Sequence, residues 1–174
     1  LGHNHNICLM QCNTNYTGSL DNFKYVNLNV LKTFSTIYPN MVLGFSDHTP
    51  GHSAVLGAVA LGARVVEKHF TDDNNRVGPD HHFALNPSTW SEMVNRTIEL
   101  QYALGDGIKE IENNESDTVV IQRRAVRLTK TVRAGEVLEE SHLEYLRPCP
   151  KDAFSPSNYE ILIGSRLQND RVKG

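Results

Sequence analysis

Short, nearly continuous apolar runs alternate along the first two-thirds of the chain with longer, periodically apolar stretches. The runs fall at residues 7–12, at Met41-Val42-Leu43-Gly44-Phe45 and at Arg64-Val65-Val66-Glu67-Lys68-His69. Each has the length and the Val/Leu/Phe content of a buried strand. Between them lie an amphipathic stretch over residues 20–38 and an Ala/Gly/Leu-rich segment over 52–62, and the third run is followed by a segment from Pro87 to Leu104. The last predicts a helix, with Asn86 or Ser88 as N-cap and Pro87 in the first turn. Its Trp90, Met93, Val94, Thr97, Ile98 and Leu104 recur at helical spacing and predict one apolar stripe packed on a sheet. Strand then helix, three times over, predicts a parallel α/β architecture. Three such units cannot close a barrel, and the chain opens on Leu1 rather than Met, so it reads as part of a longer polypeptide.

The texture changes after Leu104. Gly105-Asp106-Gly107 stops the helix, and the polar, acidic residues 110–118 read as a linker, placed at 105–119. Residues 120–174 then show short apolar runs joined by tight turns: Ala125-Val126-Arg127-Leu128, the turn Arg133-Ala134-Gly135-Glu136, Val137-Leu138, and His142 to Pro148. A unit of about 55 residues is near the lower limit for a self-sufficient core. The expected organisation is therefore 1–104, a linker at 105–119, and a small β-rich unit at 120–174.

Composition narrows the function classes. With 39% hydrophobic and 21% charged residues and a net charge of −3, the chain carries no basic footprint for nucleic acid. No apolar stretch approaches a membrane span, and a cytoplasmic location is the default expectation. Cys8, Cys12 and Cys149 are odd in number and lack zinc-type spacing, which predicts free thiols.

The candidate chemistry lies in three strings that close apolar runs with polar tips: Gly44-Phe45-Ser46-Asp47-His48-Thr49, Glu67-Lys68-His69-Phe70-Thr71 and Gly78-Pro79-Asp80. Strand ends are where parallel α/β proteins build active sites. His48 and His69, one past each run, form half a metal site. Two imidazoles plus water or substrate oxygens suit six-coordinate Mn²⁺ or Mg²⁺. Either histidine alone reads instead as a packed strand residue or an exposed loop residue. Ser46 is a donor for a phosphate or substrate hydroxyl, or a turn cap. Asp47 either orients its neighbours from behind or, as the favoured reading, caps the following helix. Gly78-Pro79 forms a rigid turn that aims Asp80 toward the strand ends, with His81 and His82 exposed beside it. Glu67 and Lys68 point to opposite faces, and Lys68 reads as an ion-pair partner.

Together with Gln11-Cys12-Asn13-Thr14-Asn15-Tyr16 and Leu146-Arg147-Pro148, these strings resemble the sialic acid synthases and their relatives that make legionaminic and other nonulosonic acids. The resemblance covers essentially the whole chain. It implies the last three βα units of a TIM (β/α)8 barrel followed by a small, mainly β SAF (antifreeze-like) domain. It also implies condensation of phosphoenolpyruvate with an N-acylated amino sugar, N-acetylmannosamine or a 2,4-diacetamido-2,4,6-trideoxy sugar, releasing phosphate. By the resemblance His48 and His69 hold Mn²⁺ or Mg²⁺; Thr14, Tyr16, Ser46 and Asp80 contact substrate, with Tyr16 and Asp80 catalytic; and Arg147 reaches the partner's barrel in a homodimer. Thr14 departs from the asparagine of some members, and Thr17-Gly18 replaces a common proline after the tyrosine. Residues 13–18 and 72–78 look closer to the bacterial legionaminic branch. The lysines and carboxylate that complete the family's site are not among these 174 residues, so the chain alone is expected to be inactive. Two other classes fit parts of the pattern: a metal-dependent barrel aldolase or isomerase that does not use phosphoenolpyruvate, and a non-catalytic carbohydrate-binding module.

Overall fold

The three apolar runs become three parallel strands: β1 (Cys8–Cys12), β2 (Val42–Asp47) and β3 (Val65–Lys68), in the order β1-β2-β3. These come from a computed structural model that describes residues 7–174; the first six residues of the expected 1–104 unit lie outside the described residues. The chain divides into two compact units, Leu1–Ile108 and Lys109–Gly174.

Register decides which side chains face which way. Met10 pairs with Gly44, Cys12 with Ser46, Ser46 with Glu67 and Asp47 with Lys68. Because strand side chains alternate, Leu43, Phe45 and Asp47 share one face of β2, and Gly44 and Ser46 the other. The first face is the core. Leu43 and Phe45 pack with Val26, Leu31, Ala54, Ala58 and Ala63, and Leu9 joins them from β1. Burying such side chains stabilises by about 1.5–3 kcal/mol each. On the opposite face Gly44 leaves room for β1: a Cβ there would lie 2.8 Å from Cys8 Sγ and 2.9 Å from Met10 Cγ.

The helices follow from local signals. The amphipathic stretch at 20–38 splits into a 3-10 turn (Leu20–Lys24) and α1 (Val30–Ile37). Ser19 caps the turn by accepting from the Asp21 N–H, and Asn27, at φ 48, breaks the helical path between the two. α2 (Ser53–Ala60) buries Ala54, Val55 and Ala58, and Gly62 follows it at φ 97. α3 (Pro87–Leu104) begins as expected, with Pro87 in its first turn and Asn86 as the cap. The Asn86 side chain accepts from the Thr89 N–H at 3.0 Å, and the Thr89 hydroxyl oxygen accepts from the Asn86 N–H at 2.9 Å. Its stripe is only partly used. Met93 is buried with Val55 and Leu85, and Trp90 packs beside them, whereas Val94, Ile98 and Leu104 are exposed. Among the described residues the helix meets α2 through the Trp90–Met93 end of the stripe.

In the second unit, the last residues of the expected linker, 116–119, open α4 (Ser116–Gln122). Val119-Val120-Ile121 supplies apolar helical positions there, and a reciprocal pair of Glu112 and Glu115 bonds organises the preceding 3-10 turn. β4 (Ala125–Leu128) pairs antiparallel with β5 (Leu143–Leu146). Isolated bridges join Val132 to Arg171 and Val137 to Arg166, and α5 (Tyr159–Leu162) follows. Ala125, Val132 and Leu138 are its buried apolar residues. Among the described residues no helix is long and apolar enough to cross a membrane.

Candidate active site

Beyond their paired residues, β2 and β3 run directly into His48 and His69, and β1 runs into the loop that carries Tyr16. These three side chains meet. The Tyr16 ring lies 4.2 Å from His48 and 5.5 Å from His69, centroid to centroid, and the two imidazoles are 5.1 Å apart in an edge-on arrangement. Asp80 joins from the β3–α3 loop, with Oδ2 3.6 Å from His69 Nδ1. Phe83, from the same loop, brings its ring centroid to 5.0 Å from that of His69, tilted by 48°. Four positions spread over 65 residues of sequence thus converge at one set of strand tips.

The histidines differ in setting. His48 is buried, and its Nδ1 donates to the Asn13 carbonyl at 3.0 Å, because a carbonyl only accepts. With Nδ1 committed to that bond, Nε2 is the nitrogen left to offer a lone pair, the arrangement common to metal-binding histidines. His69 is half-buried, with the Asp80 carboxylate facing its Nδ1 in the same sense. Cys12 Sγ lies 3.9 Å from His48 Nδ1. Deeper on the same face, burial pushes the Cys8 thiol above its ordinary pKa.

The loops that deliver these groups are self-anchored. Buried Asn22 donates from Nδ2 to the Asn15 carbonyl and to Thr17 Oγ1, both at 3.3 Å, pinning the Tyr16 loop. Gly18, at φ 62, packs where any Cβ would fall 2.3 Å from Phe83 Cβ, so glycine is what brings the Tyr16 loop against the Asp80 loop. In the Asp80 loop the Asn74 amide donates to the carbonyls of His81 and Ala84 at 2.7 and 2.8 Å, and Asn86 orients it by donating to its Oδ1 at 2.9 Å.

Other predicted residues stand as follows. Ser46 lies on the site face, buried, and donates at 2.7 Å to Glu67 Oε1 on β3. Thr14 is exposed on the loop after β1. Arg147 is exposed just past β5, in the second unit. His82 is exposed, while His81 is half-buried with Nδ1 2.8 Å from Thr71 Oγ1. Asp47 does not cap the following helix, whose cap position is His52. Instead Asp47 Oδ1 accepts from the Thr49 N–H and hydroxyl, at 2.8 and 2.7 Å, and Oδ2 takes the Lys68 ammonium at 2.6 Å. Lys68 is therefore an ion-pair partner, as its strand position suggested. Sequence reasoning passed over Glu67 and Phe83 as site residues. The alternation of Glu67 with Lys68, once paired opposite Ser46, is the signal that could have found the first.

Among the described residues no three or more His, Cys, Asp or Glu side chains form a metal site. The donors offered are two imidazoles, one with its tautomer fixed by a backbone carbonyl. That set fits a divalent cation completed by water and ligand oxygens, and does not fit a closed structural zinc site.

A parallel sheet with helices between its strands defines an α/β protein, and the polar, aromatic-lined cluster lies at the carboxyl ends of the strands, where such folds bind ligands. Residues 2–109 match the NeuB family, and the chain belongs to it. It is 36% identical over 159 residues to N,N'-diacetyllegionaminic acid synthase of Campylobacter jejuni, covering 91% of this chain and 46% of that protein. It is 34% identical over 164 residues to human N-acetylneuraminate-9-phosphate synthase, covering 94% and 45%. The crystal structure of the spore coat polysaccharide biosynthesis protein SpsE of Bacillus subtilis superposes with a TM-score of 0.52 at 30% identity, covering 98% of this chain and 51% of that one. N-acetylneuraminic acid synthetase of Leptospira borgpetersenii gives 0.56 at 29%, over 64% and 38%. The chain spans about half the length of the curated relatives it matches.

Proposed function

We propose that these residues form one side of the active site of a nonulosonic acid synthase, which condenses phosphoenolpyruvate with an N-acylated amino sugar and releases phosphate. The observation that carries this reading is the convergence of His48, His69 and Tyr16 at adjacent strand tips, with the His48 tautomer set by Asn13. In this reading residues 1–104 are the last three βα units of a TIM barrel, and residues 120–174 a SAF domain.

His48 and His69 would hold Mn²⁺ or Mg²⁺. When bound, such a cation supplies Lewis-acid polarisation of the acceptor's aldehyde oxygen. Asp80 orients His69 and presents a carboxylate to the sugar hydroxyls. Tyr16 covers the imidazoles, excludes water from that side and offers its hydroxyl to substrate. Ser46, whose hydroxyl Glu67 accepts in this structure, turns toward the phosphate, and Thr14 adds a donor at the loop. Arg147 comes in trans from a second copy, where its planar fork suits amide and hydroxyl oxygens. The identities of the Campylobacter jejuni and human proteins support a sugar acid product of the legionaminic or sialic type.

The test is phosphate release by a full-length polypeptide containing this chain, supplied with phosphoenolpyruvate, Mn²⁺ and either N-acetylmannosamine or its 2,4-diacetamido-2,4,6-trideoxy counterpart. Release that requires both substrates and is abolished by His48→Ala is the expected result. Absence of turnover with every amino sugar overturns the reading.

A further inference from the structure

Directly behind the two histidines sits an ion pair that the proposed chemistry does not use. Asp47 and Lys68 are the last paired residues of β2 and β3, opposite each other in the parallel ladder, and His48 and His69 are the next residue of each strand. Alternation turns the ion pair to the helix side of the sheet and the histidines to the site side. The pair is closed off from solvent: the Lys68 side chain is 2% exposed and that of Asp47 0%. Lys68 Nζ lies 2.6 Å from Asp47 Oδ2 and also donates to the Thr49 carbonyl, while Asp47 Oδ1 holds the Thr49 N–H and hydroxyl. Residues on both sides of His48 are thus bonded to one another and to the residue before His69.

Taking two charges out of water gains little stability over an apolar pair of the same volume. What it does supply here is geometry. The strand ladder ends at this pair, so it is the last tie between the two backbones before they reach the histidines. The Asn13 bond orients the His48 ring toward β1, but it does not set the distance to His69. A short, doubly anchored ammonium does.

We propose that Asp47 and Lys68 are positioning residues that hold His48 and His69 at the separation one divalent cation requires. This rests on the metal-binding reading of the histidines given above. Groups that orient metal ligands from behind typically change metal affinity 10–100-fold when removed.

The experiment measures Mn²⁺ affinity of the full-length polypeptide containing this chain, from the electron paramagnetic resonance of free Mn²⁺ during titration, with thermal unfolding followed in parallel. The variants are His48→Ala, Lys68→Arg, and the charge-neutral double variant Asp47→Asn/Lys68→Met. The double variant leaves no unpaired buried charge and is expected to unfold cooperatively near the parent temperature while losing about 10–100-fold in Mn²⁺ affinity. Lys68→Arg, which keeps a cation against Asp47, is expected to recover part of that loss. A folded double variant that binds Mn²⁺ within twofold of the parent overturns the inference alone. Parent protein that binds no Mn²⁺, or binds it equally with His48→Ala, overturns the metal reading and this inference with it. Should the double variant fail to fold, the apolar pair Asp47→Leu/Lys68→Met, which also leaves no buried charge unpaired, gives the same two readings.

Discussion

Replacing Gly44 with alanine tests whether the close approach of β1 and β2 on the site face depends on a missing side chain. The new Cβ would sit 2.8 Å from Cys8 Sγ, 2.9 Å from Met10 Cγ and 3.0 Å from Met10 Cε. Apolar atoms prefer separations of about 3.5–4.0 Å, so the overlap is roughly 0.5–1 Å. Overpacking of that kind costs about 1–3 kcal/mol, and the lower backbone entropy of alanine in a strand offsets about 0.5–1 kcal/mol of it. A net loss of about 1–2 kcal/mol is expected, a fall of roughly 5–10 °C in Tm for a unit of about 100 residues. Two of the three crowding atoms belong to Met10, so Met10→Ala supplies the matching perturbation. Alone it destabilises, by about 2 kcal/mol for a half-buried methionine. In the Gly44→Ala background it costs less, because the cavity accepts the new methyl, with a coupling of about 1–2 kcal/mol. Thermal and urea unfolding of the four proteins, followed by circular dichroism, measures this. Gly44→Ala at parent stability, or two costs that add within about 0.5 kcal/mol, would refute the steric account.

Asn22→Leu removes the amide that pins the Asn15 carbonyl and the Thr17 hydroxyl, and is expected to cost about 1–2 kcal/mol. Amide hydrogen exchange at residues 15–18 should quicken while β1–β3 keep their protection; unchanged exchange in the loop would show that Asn22 does not anchor Tyr16. In the second unit, Glu136 accepts the Arg133 N–H at 3.1 Å and the Lys130 ammonium at 3.3 Å, and these hold its carboxyl below the ordinary glutamate pKa. A depressed pKa means a contribution fully present above the ordinary carboxylate range and lost as pH falls through the lowered value. The carboxyl carbon chemical shift of Glu136 is therefore expected to titrate below the ordinary glutamate value, and a midpoint at or above it would contradict the turn geometry.

Much of the first unit was legible because its signals are local. Apolar runs of strand length, glycine and proline punctuation and the Asn86-Pro87 helix start each depend on neighbours in sequence. They placed β1, β2, β3, α2 and α3 to within a few residues. Local signals failed where distant partners decide the outcome. The 20–38 stretch kept its amphipathic pattern across a break that one left-handed asparagine imposes. Among the described residues the α3 stripe packs through its Trp90–Met93 end, against Val55 and Leu85, contacts that spacing alone does not name. Residues 116–119 read as the end of the linker, yet they open a helix that continues through Val120 and Ile121.

For the candidate site, the sequence by itself determined the chemistry available at the strand ends: His48, His69, Ser46 and Asp80 each follow an apolar run or a rigid turn. Their partners were settled only by tertiary structure. Strand register placed Ser46 opposite Glu67 and Asp47 opposite Lys68, turning an expected helix cap into half of a buried ion pair. Loop packing, through Gly18 on Phe83 and Asn22 on residues 15–17, carried Tyr16 onto both imidazoles. The division has a simple physical cause. Alternation and capping act over a few residues and are written in order along the chain, whereas a bond between residues 47 and 68 exists only once two strands lie side by side in one register.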